Sequence, residues 1–203
     1  MTPRPDVSEM RTAQIIEAST QVFAEKGFDG ATMADIAGAA GINKATIYLY
    51  FESKDALIRA IAEDLFAQEL AGLETVRDMP GTATERLTLY YEMLIAEEAE
   101  VLPLMPVIYE FYARGLRRAD VRAVLVDYLQ GIAAALETII QDGIAAGEFR
   151  PVDARKAARA LNALMSGTFL HWVYSPKEVD VSAQLRYNVQ LIFQGLLNHN
   201  QGG

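Results

Sequence analysis

The stretch TMADIAGAAGINKATIYLYFESKDAL, residues 32–57, decides the fold. It divides into a short helix, a glycine turn, a second short helix and the capped start of a third. Thr32 can N-cap the first helix, with Met33, Ile36 and Ala37 on one face. Asp35, three residues on, completes a variant of the capping box and suits the positive end of the helix. Ala39 and Ala40 are small enough for a close helix approach, and Gly41 supplies a left-handed stop. Asn43 is a second N-cap, and Ile47 and Tyr48 carry the next apolar face.

Two short helices across a glycine turn form a helix-turn-helix, whose second helix can enter a DNA major groove. The stretch also resembles the TetR family of bacterial transcriptional regulators. The resemblance rests on Thr32, Ile36, Ala37, Ala40, Gly41, Ile42, Asn43, the run from Ile47 to Phe51, Lys54 and Leu57. An aromatic run followed three residues later by lysine makes it specific. It covers the first quarter of the chain strongly, and the remainder agrees in length and helical layout. The expected fold is all-α: a three-helix DNA-binding domain over residues 1–52, joined by a long helix to a helical ligand-binding and dimerisation domain over 53–203.

Around this stretch, residues 1–7 contain Pro3 and Pro5 and are expected to be a loose arm. Ser8 is expected to cap the first helix, with Met10, Ile15, Ala18, Val22 and Phe23 facing a core and Gly27 ending it. Ser53 caps a fourth helix to about Val76, and a helix of about 23 residues spans roughly 35 Å, enough to join two domains. A fifth helix follows Thr82 or Thr84, with Leu87, Tyr90, Tyr91, Leu94 and Ile95 inward. Glu97, Glu98 and Glu100 near its end are expected on a solvated face, with a ligand or cation site as the sharper alternative. Pro103 breaks that helix, and Pro106 suits the first turn of the next. Asp120 opens a long helix to about Ala146, closed by the phrase GIAAGEFRPVD. That phrase also looks like the one preceding the last two helices of TetR proteins. Those helices are expected from Asp153 to Tyr174 and from Val181 to Asn198, with HNQGG disordered at the end.

The chain holds 203 residues, 51% of them hydrophobic and 22% charged, which suits a globular protein. No run approaches the roughly 18 uninterrupted apolar residues of a membrane span, so no membrane partner is expected. The N-terminus lacks an apolar signal core, and the absence of cysteine excludes disulfides and fits a cytoplasmic location. The net charge is −9; residues 1–60, with six basic against eight acidic side chains, carry −2. DNA affinity must therefore come from a few placed groups rather than a bulk field.

Those groups are expected to be Thr32, Asn43, Lys44, Ala45, Thr46, Tyr48, Tyr50 and Lys54. Asn43 and Lys44 open the recognition helix, and Lys44 can reach a phosphate or guanine acceptors. Ala45 and Thr46 are small, and Thr46 can hydrogen-bond a base or pack on a thymine methyl. Tyr48 and Tyr50 suit phosphates; Tyr48 is balanced between that role and the core, whereas Phe51 is read as core. The family resemblance implies phosphate contacts at Thr32, Tyr50 and Lys54.

A single head discriminates each base pair by only ~1–3 kcal/mol, so two heads about 34 Å apart on a palindromic operator are expected. A homodimer would be held by the last two helices, with Ala160, Gly167, Leu185, Val189, Ile192 and Leu196 as interface candidates. An intrachain core is the plainer account of the same residues. A small apolar or aromatic effector would bind among Tyr90, Met93, Tyr109, Tyr128, Asn162, Met165 and Phe169, residues that could equally be plain core. A coupling of ~1–3 kcal/mol would shift operator affinity severalfold or more.

No cofactor, catalytic residue or metal ligand set is expected. His171 and His199 lack a glutamate three residues before them, and no nucleophile or phosphate-loop motif appears. A ligand carrier of the same fold without DNA binding is the alternative.

Overall fold

A computed structural model describes residues 7–197. The expectations for the proline arm and for the terminal HNQGG fall outside that range, apart from Val7. Among the described residues the architecture is all-α. Its helices are α1 (Val7–Gly30), α2 (Met33–Ala39), α3 (Lys44–Ile47), α4 (Lys54–Asp78), α5 (Ala83–Ala96), α6 (Glu98–Val101), α7 (Met105–Gly115), α8 (Ala119–Ala145), α9 (Ala154–Tyr174) and α10 (Val181–Leu196).

The chain forms two compact units. Residues up to Leu65 join with Pro103–Ala123, and Phe66–Leu102 joins with the chain from Val124 onward. Helix α7 packs on α1, so a segment distant in sequence completes the first unit. Helices α4 and α8 each begin in the first unit and continue into the second.

In the first unit, Ile15, Phe23, Ile36, Ile47, Leu57 and Ile58 are almost wholly buried, whereas Met10, expected on the same face of α1, is 51% exposed. Gly27 adopts φ 68°, ψ 170°, which breaks α1 where expected, although a further turn carries it to Gly30. Ser8 is a correction: α1 begins at Val7, so Ser8 lies inside the helix, where its carbonyl accepts from the Thr12 hydroxyl at 2.9 Å. The Gln14 amide donates to the Ala40 carbonyl at 2.9 Å, tying α1 to the C-terminal end of α2. Phe28 lies between two cations, 4.4 Å from Lys54 Nζ and 4.2 Å from the Arg114 guanidinium. Arg114 also bonds Asp55, so α1, α4 and α7 meet at one charged and aromatic contact.

In the second unit, α10 packs on α9 and α5. Thr82 caps α5 with a full capping box through Glu85, and Glu148 accepts from the Ala83 and Thr84 amides at 2.8 Å each. Asp153 and Asp180 cap α9 and α10. Glu98 accepts from the Ser182 hydroxyl at 2.6 Å, so this member of the acidic run has a structural partner. By length and composition α8 could cross a membrane, with a mean hydropathy of 1.5, nearer to a span than expected. Its Ile132, Leu136, Ile139 and Ile140 are instead buried in the protein core.

Candidate functional site

The capped turn between Thr32 and Phe51 takes the expected form. The Thr32 hydroxyl accepts from the Asp35 amide at 3.1 Å, and the Asp35 carboxylate accepts from the Thr32 amide at 2.9 Å. The Thr32 hydroxyl also donates to this carboxylate at 2.7 Å, and Lys26 adds a third donor at 2.7 Å. With the Lys26 bond as the largest cause, followed by the Thr32 hydroxyl and amide, Asp35 is pulled down to about 2. Gly41 sits at φ 64°, the left-handed conformation that turns α2 into α3.

Asn43 caps α3, its side-chain oxygen accepting from the Thr46 amide at 2.8 Å and hydroxyl at 3.0 Å. Ile47 and Phe51 point inward and are buried. Asn43, Lys44 and Ala45 are exposed, and Thr46 and Tyr50 half-buried. Tyr48 is 47% exposed and Leu49 82%, which takes Tyr48 out of the core. Lys54, expected to meet a phosphate, is also tied into the head. Its ammonium donates to the Phe28 carbonyl at 2.7 Å and the Ala31 carbonyl at 2.8 Å, leaving one N–H beyond these two bonds.

The expected effector residues separate. Tyr90 and Tyr128 both donate to one carboxylate, that of Glu69: Tyr90 to Oε1 at 2.7 Å and Tyr128 to Oε2 at 2.7 Å. Met165 joins them, its sulfur 3.8 Å from the Tyr90 hydroxyl. Met93 lies near Gly72, and Phe169 is buried on α9. Asn162 lines a groove of about 640 Å³ with Val126, Leu129, Arg155 and Arg159, and its buried side-chain oxygen has no hydrogen-bond partner. Tyr109 belongs to the first unit, on α7, where its ring is tilted against Tyr112 at 5.7 Å.

The interface candidates divide between two faces. Leu185, Val189 and Leu196 are buried within their own chain, because α10 turns that face toward α5 and α9. Ala160, Gly167 and Ile192 keep accessible surface, beside the exposed Leu164 and Leu191. A second groove of about 350 Å³ runs along this side, lined by Lys156, Ala157, Leu191, Ile192 and Gly195.

Residues 15–61 match the model of bacterial regulatory proteins of the tetR family, and residues 83–193 match that of the BetI-type transcriptional repressor C-terminal domain. This chain belongs to the TetR family. Among its relatives, the fatty acid metabolism regulator protein of Bacillus subtilis is 25% identical over 190 residues, covering 91% of this chain and 95% of that protein. The transcriptional regulator TtgR of Pseudomonas putida is 28% identical over 177 residues, covering 83% of each. A regulator from Saccharomonospora viridis, solved in complex with choline, shares the fold at TM-score 0.83 with 20% identity, over 95% of this chain and all of that one. The Bacillus subtilis FadR structure with stearoyl-CoA aligns at TM-score 0.70 with 25% identity, over 90% and 98%.

This TetR-family protein is accordingly a DNA-binding transcriptional repressor, not an enzyme. Glu69 is what the sequence reading missed in it. The signal was present: Ala62, Phe66, Leu73 and Val76 mark an apolar stripe at helical spacing, and Glu69 falls on it. Burial, the largest cause, pushes the Glu69 carboxyl above the ordinary carboxylate range against the opposing pull of the two tyrosine hydroxyls.

Proposed function

We propose that the protein acts in the cytoplasm as a homodimer on a palindromic operator, each chain presenting the segment from Asn43 to Tyr50 to one half-site. The observation that carries this is the exposure of Lys44, Ala45, Tyr48 and Leu49 around a buried Ile47. A segment that served only as core would not turn a lysine and a tyrosine outward. Lys44 and Thr46 supply base or phosphate contacts, Ala45 permits close approach, and Tyr48 and Tyr50 reach the backbone. Thr32 and Asn43 act first as caps that fix the two helices. Lys54 stiffens the head through Phe28 and offers its third N–H to a phosphate.

Dimerisation uses the outer side of α9 and α10, where Ala160, Leu164, Gly167, Leu191 and Ile192 remain uncovered in the single chain. A small molecule bound in the second unit then controls operator affinity. Relatives solved with stearoyl-CoA and with choline support an effector in this fold without naming the one used here.

The test is fluorescence anisotropy with inverted repeats from the gene's own upstream DNA, against unrelated competitor, together with the solution mass. A dimer bound to one repeat with competitor present is expected. A monomer, or binding that competitor removes equally, overturns the reading in favour of a ligand carrier.

A further inference from the structure

Glu69 has two donors and no cation. It makes no ion pair among the described residues, and the charged group that acts on it is another acid, Glu97. Buried carboxylates in proteins are ordinarily paired or bound to a cation. Each Glu69 oxygen accepts one tyrosine hydroxyl and retains capacity for another partner.

The surroundings are aromatic. Tyr128 stacks on Phe66 with centroids 4.0 Å apart and planes 14° from parallel. Tyr90 meets Tyr91 edge to face at 5.3 Å. The faces of such rings carry negative potential and attract cations. Glu69 lies deep in the second unit, yet part of its surface remains accessible.

We propose that Glu69, held by Tyr90 and Tyr128 beside Phe66 and Tyr91, is the receptor for the charged head of an organic cation, a tertiary or quaternary ammonium with an apolar body. The carboxylate neutralises the head and the aromatic faces cover its methyl or methylene groups. An ammonium bearing carbon substituents is weakly hydrated and enters such a site at less desolvation cost than a metal ion, which needs several oxygen ligands. No three-residue cluster suited to a metal occurs among the described residues. A phosphate-bearing or carboxylate-bearing ligand would bring a second negative charge against Glu69.

The site imposes a pH dependence on the binding. The titratable groups that act on Glu69 are Tyr90 and Tyr128, on α5 and α8, and Glu97; Tyr91 is beside them. Burial holds Tyr90 and Tyr91 protonated, so they stay donors or neutral walls throughout the neutral range. Cation binding requires Glu69 ionised, and affinity therefore rises with pH until its raised value is passed.

This inference rests on the effector reading above and names the ligand class. Calorimetric titration of the full chain with (4-hydroxyphenyl)trimethylammonium and with 4-tert-butylphenol tests it, since the two differ in charge and hardly in shape. The cation is expected to bind at least tenfold tighter, and Glu69→Gln to abolish that preference while still binding the phenol. Thermal melting establishes that the variant is folded. Should it not fold, Glu69→Asp is expected to keep a preference that grows from pH 5 to pH 8. Equal binding of the two probes, no binding of the cation, or a preference that survives Glu69→Gln overturns the proposal. Operator release separates the two readings. If stearoyl-CoA releases DNA and the cation does not bind, the cation site falls and the repressor stands. If the cation binds but no inverted repeat is recognised, the dimeric operator reading falls and the site stands.

Discussion

Two carboxylates, Asp35 in the head and Glu69 in the second unit, are pushed in opposite directions. Asp35 is half-buried, has a lysine and two Thr32 donors, and is held well into its charged form. Glu69 lies deeper among packed side chains, has two phenol donors and no cation among the described residues, and is driven toward its neutral form. Hydrogen bonds favour the charged carboxylate at both places; burial reverses the outcome at the second. The partners also differ in sequence distance. Asp35 and Thr32 are three residues apart, whereas Glu69 is bonded from 21 and 59 residues away. The head is built from local signals, and the effector unit from contacts that exist after the chain has folded.

The largest effects should therefore lie in the second unit. Leu185 is fully buried between packed helices, and Leu185→Ala should cost ~2–5 kcal/mol in urea unfolding. Leu191, 47% exposed on the same helix, should change chain stability by less than ~0.5 kcal/mol when truncated to alanine. Leu191→Glu should instead lower the dimer fraction measured by light scattering. If Leu191→Ala destabilised the chain as strongly as Leu185→Ala, the assignment of inner and outer faces on α10 would be wrong.

In the head the larger effect should be on DNA and not on folding. Lys44 is exposed and its side chain makes no hydrogen bond or ion pair among the described residues, so Lys44→Ala should leave the melting temperature unchanged. Operator affinity should fall by ~1–3 kcal/mol if Lys44 reads a base, with specificity relaxed at that position. If it contacts a phosphate, binding should weaken evenly across sequences and the salt slope should drop by about 1 per contact. Unchanged affinity would remove Lys44 from the interface.

The same contrast explains what was legible in the sequence. Thr32, Asn43 and Ser53 cap the helices as their side-chain chemistry and spacing dictate, and Gly41 takes the left-handed turn. Such motifs are complete within three or four residues, so one sequence suffices to find them. Which side of α10 faces inward was not legible. Val181, Leu185, Val189, Ile192 and Leu196 form a broad apolar front, and periodicity alone cannot say which part meets α5 and α9 and which meets another chain. The attachment of α7 to the first unit was hidden for the same reason: Arg114, Phe28, Lys54 and Asp55 meet across most of a hundred residues. Lys54 shows the limit of a family likeness, since it identified the position while the structure adds two carbonyl bonds to its role.

Asn43→Ala tests whether the local signals of the head carry energy of their own. Loss of the cap to Thr46 should cost ~1 kcal/mol of stability, with a loss of operator affinity beyond that due to unfolding. Asn43→Asp retains the acceptor and should retain the stability, while its added negative charge near DNA should still weaken binding. A stability loss equal to that of Leu185→Ala would mean that the head is not locally specified.

The smallest and most direct test of the comparison is the pH dependence of melting. A carboxyl lowered in the folded state stabilises above its unfolded value and loses that contribution as pH falls through the folded one. For Asp35 the window runs from its ordinary 3.8 down to about 2, so Asp35→Asn should flatten the melting curve on that acid side. A carboxyl raised in the folded state does the reverse: its contribution is complete below the unfolded value, 4.5 for Glu69, and is lost as pH rises through the folded value. Glu69→Gln should therefore remove a decline in melting temperature above pH 4.5, the side that Asp35→Asn leaves unchanged. An ammonium ligand should remove the same decline in the parent protein, because it stabilises the ionised form that burial disfavours. Two variants that flatten the same side of the curve would show that the two carboxylates do not occupy opposite environments.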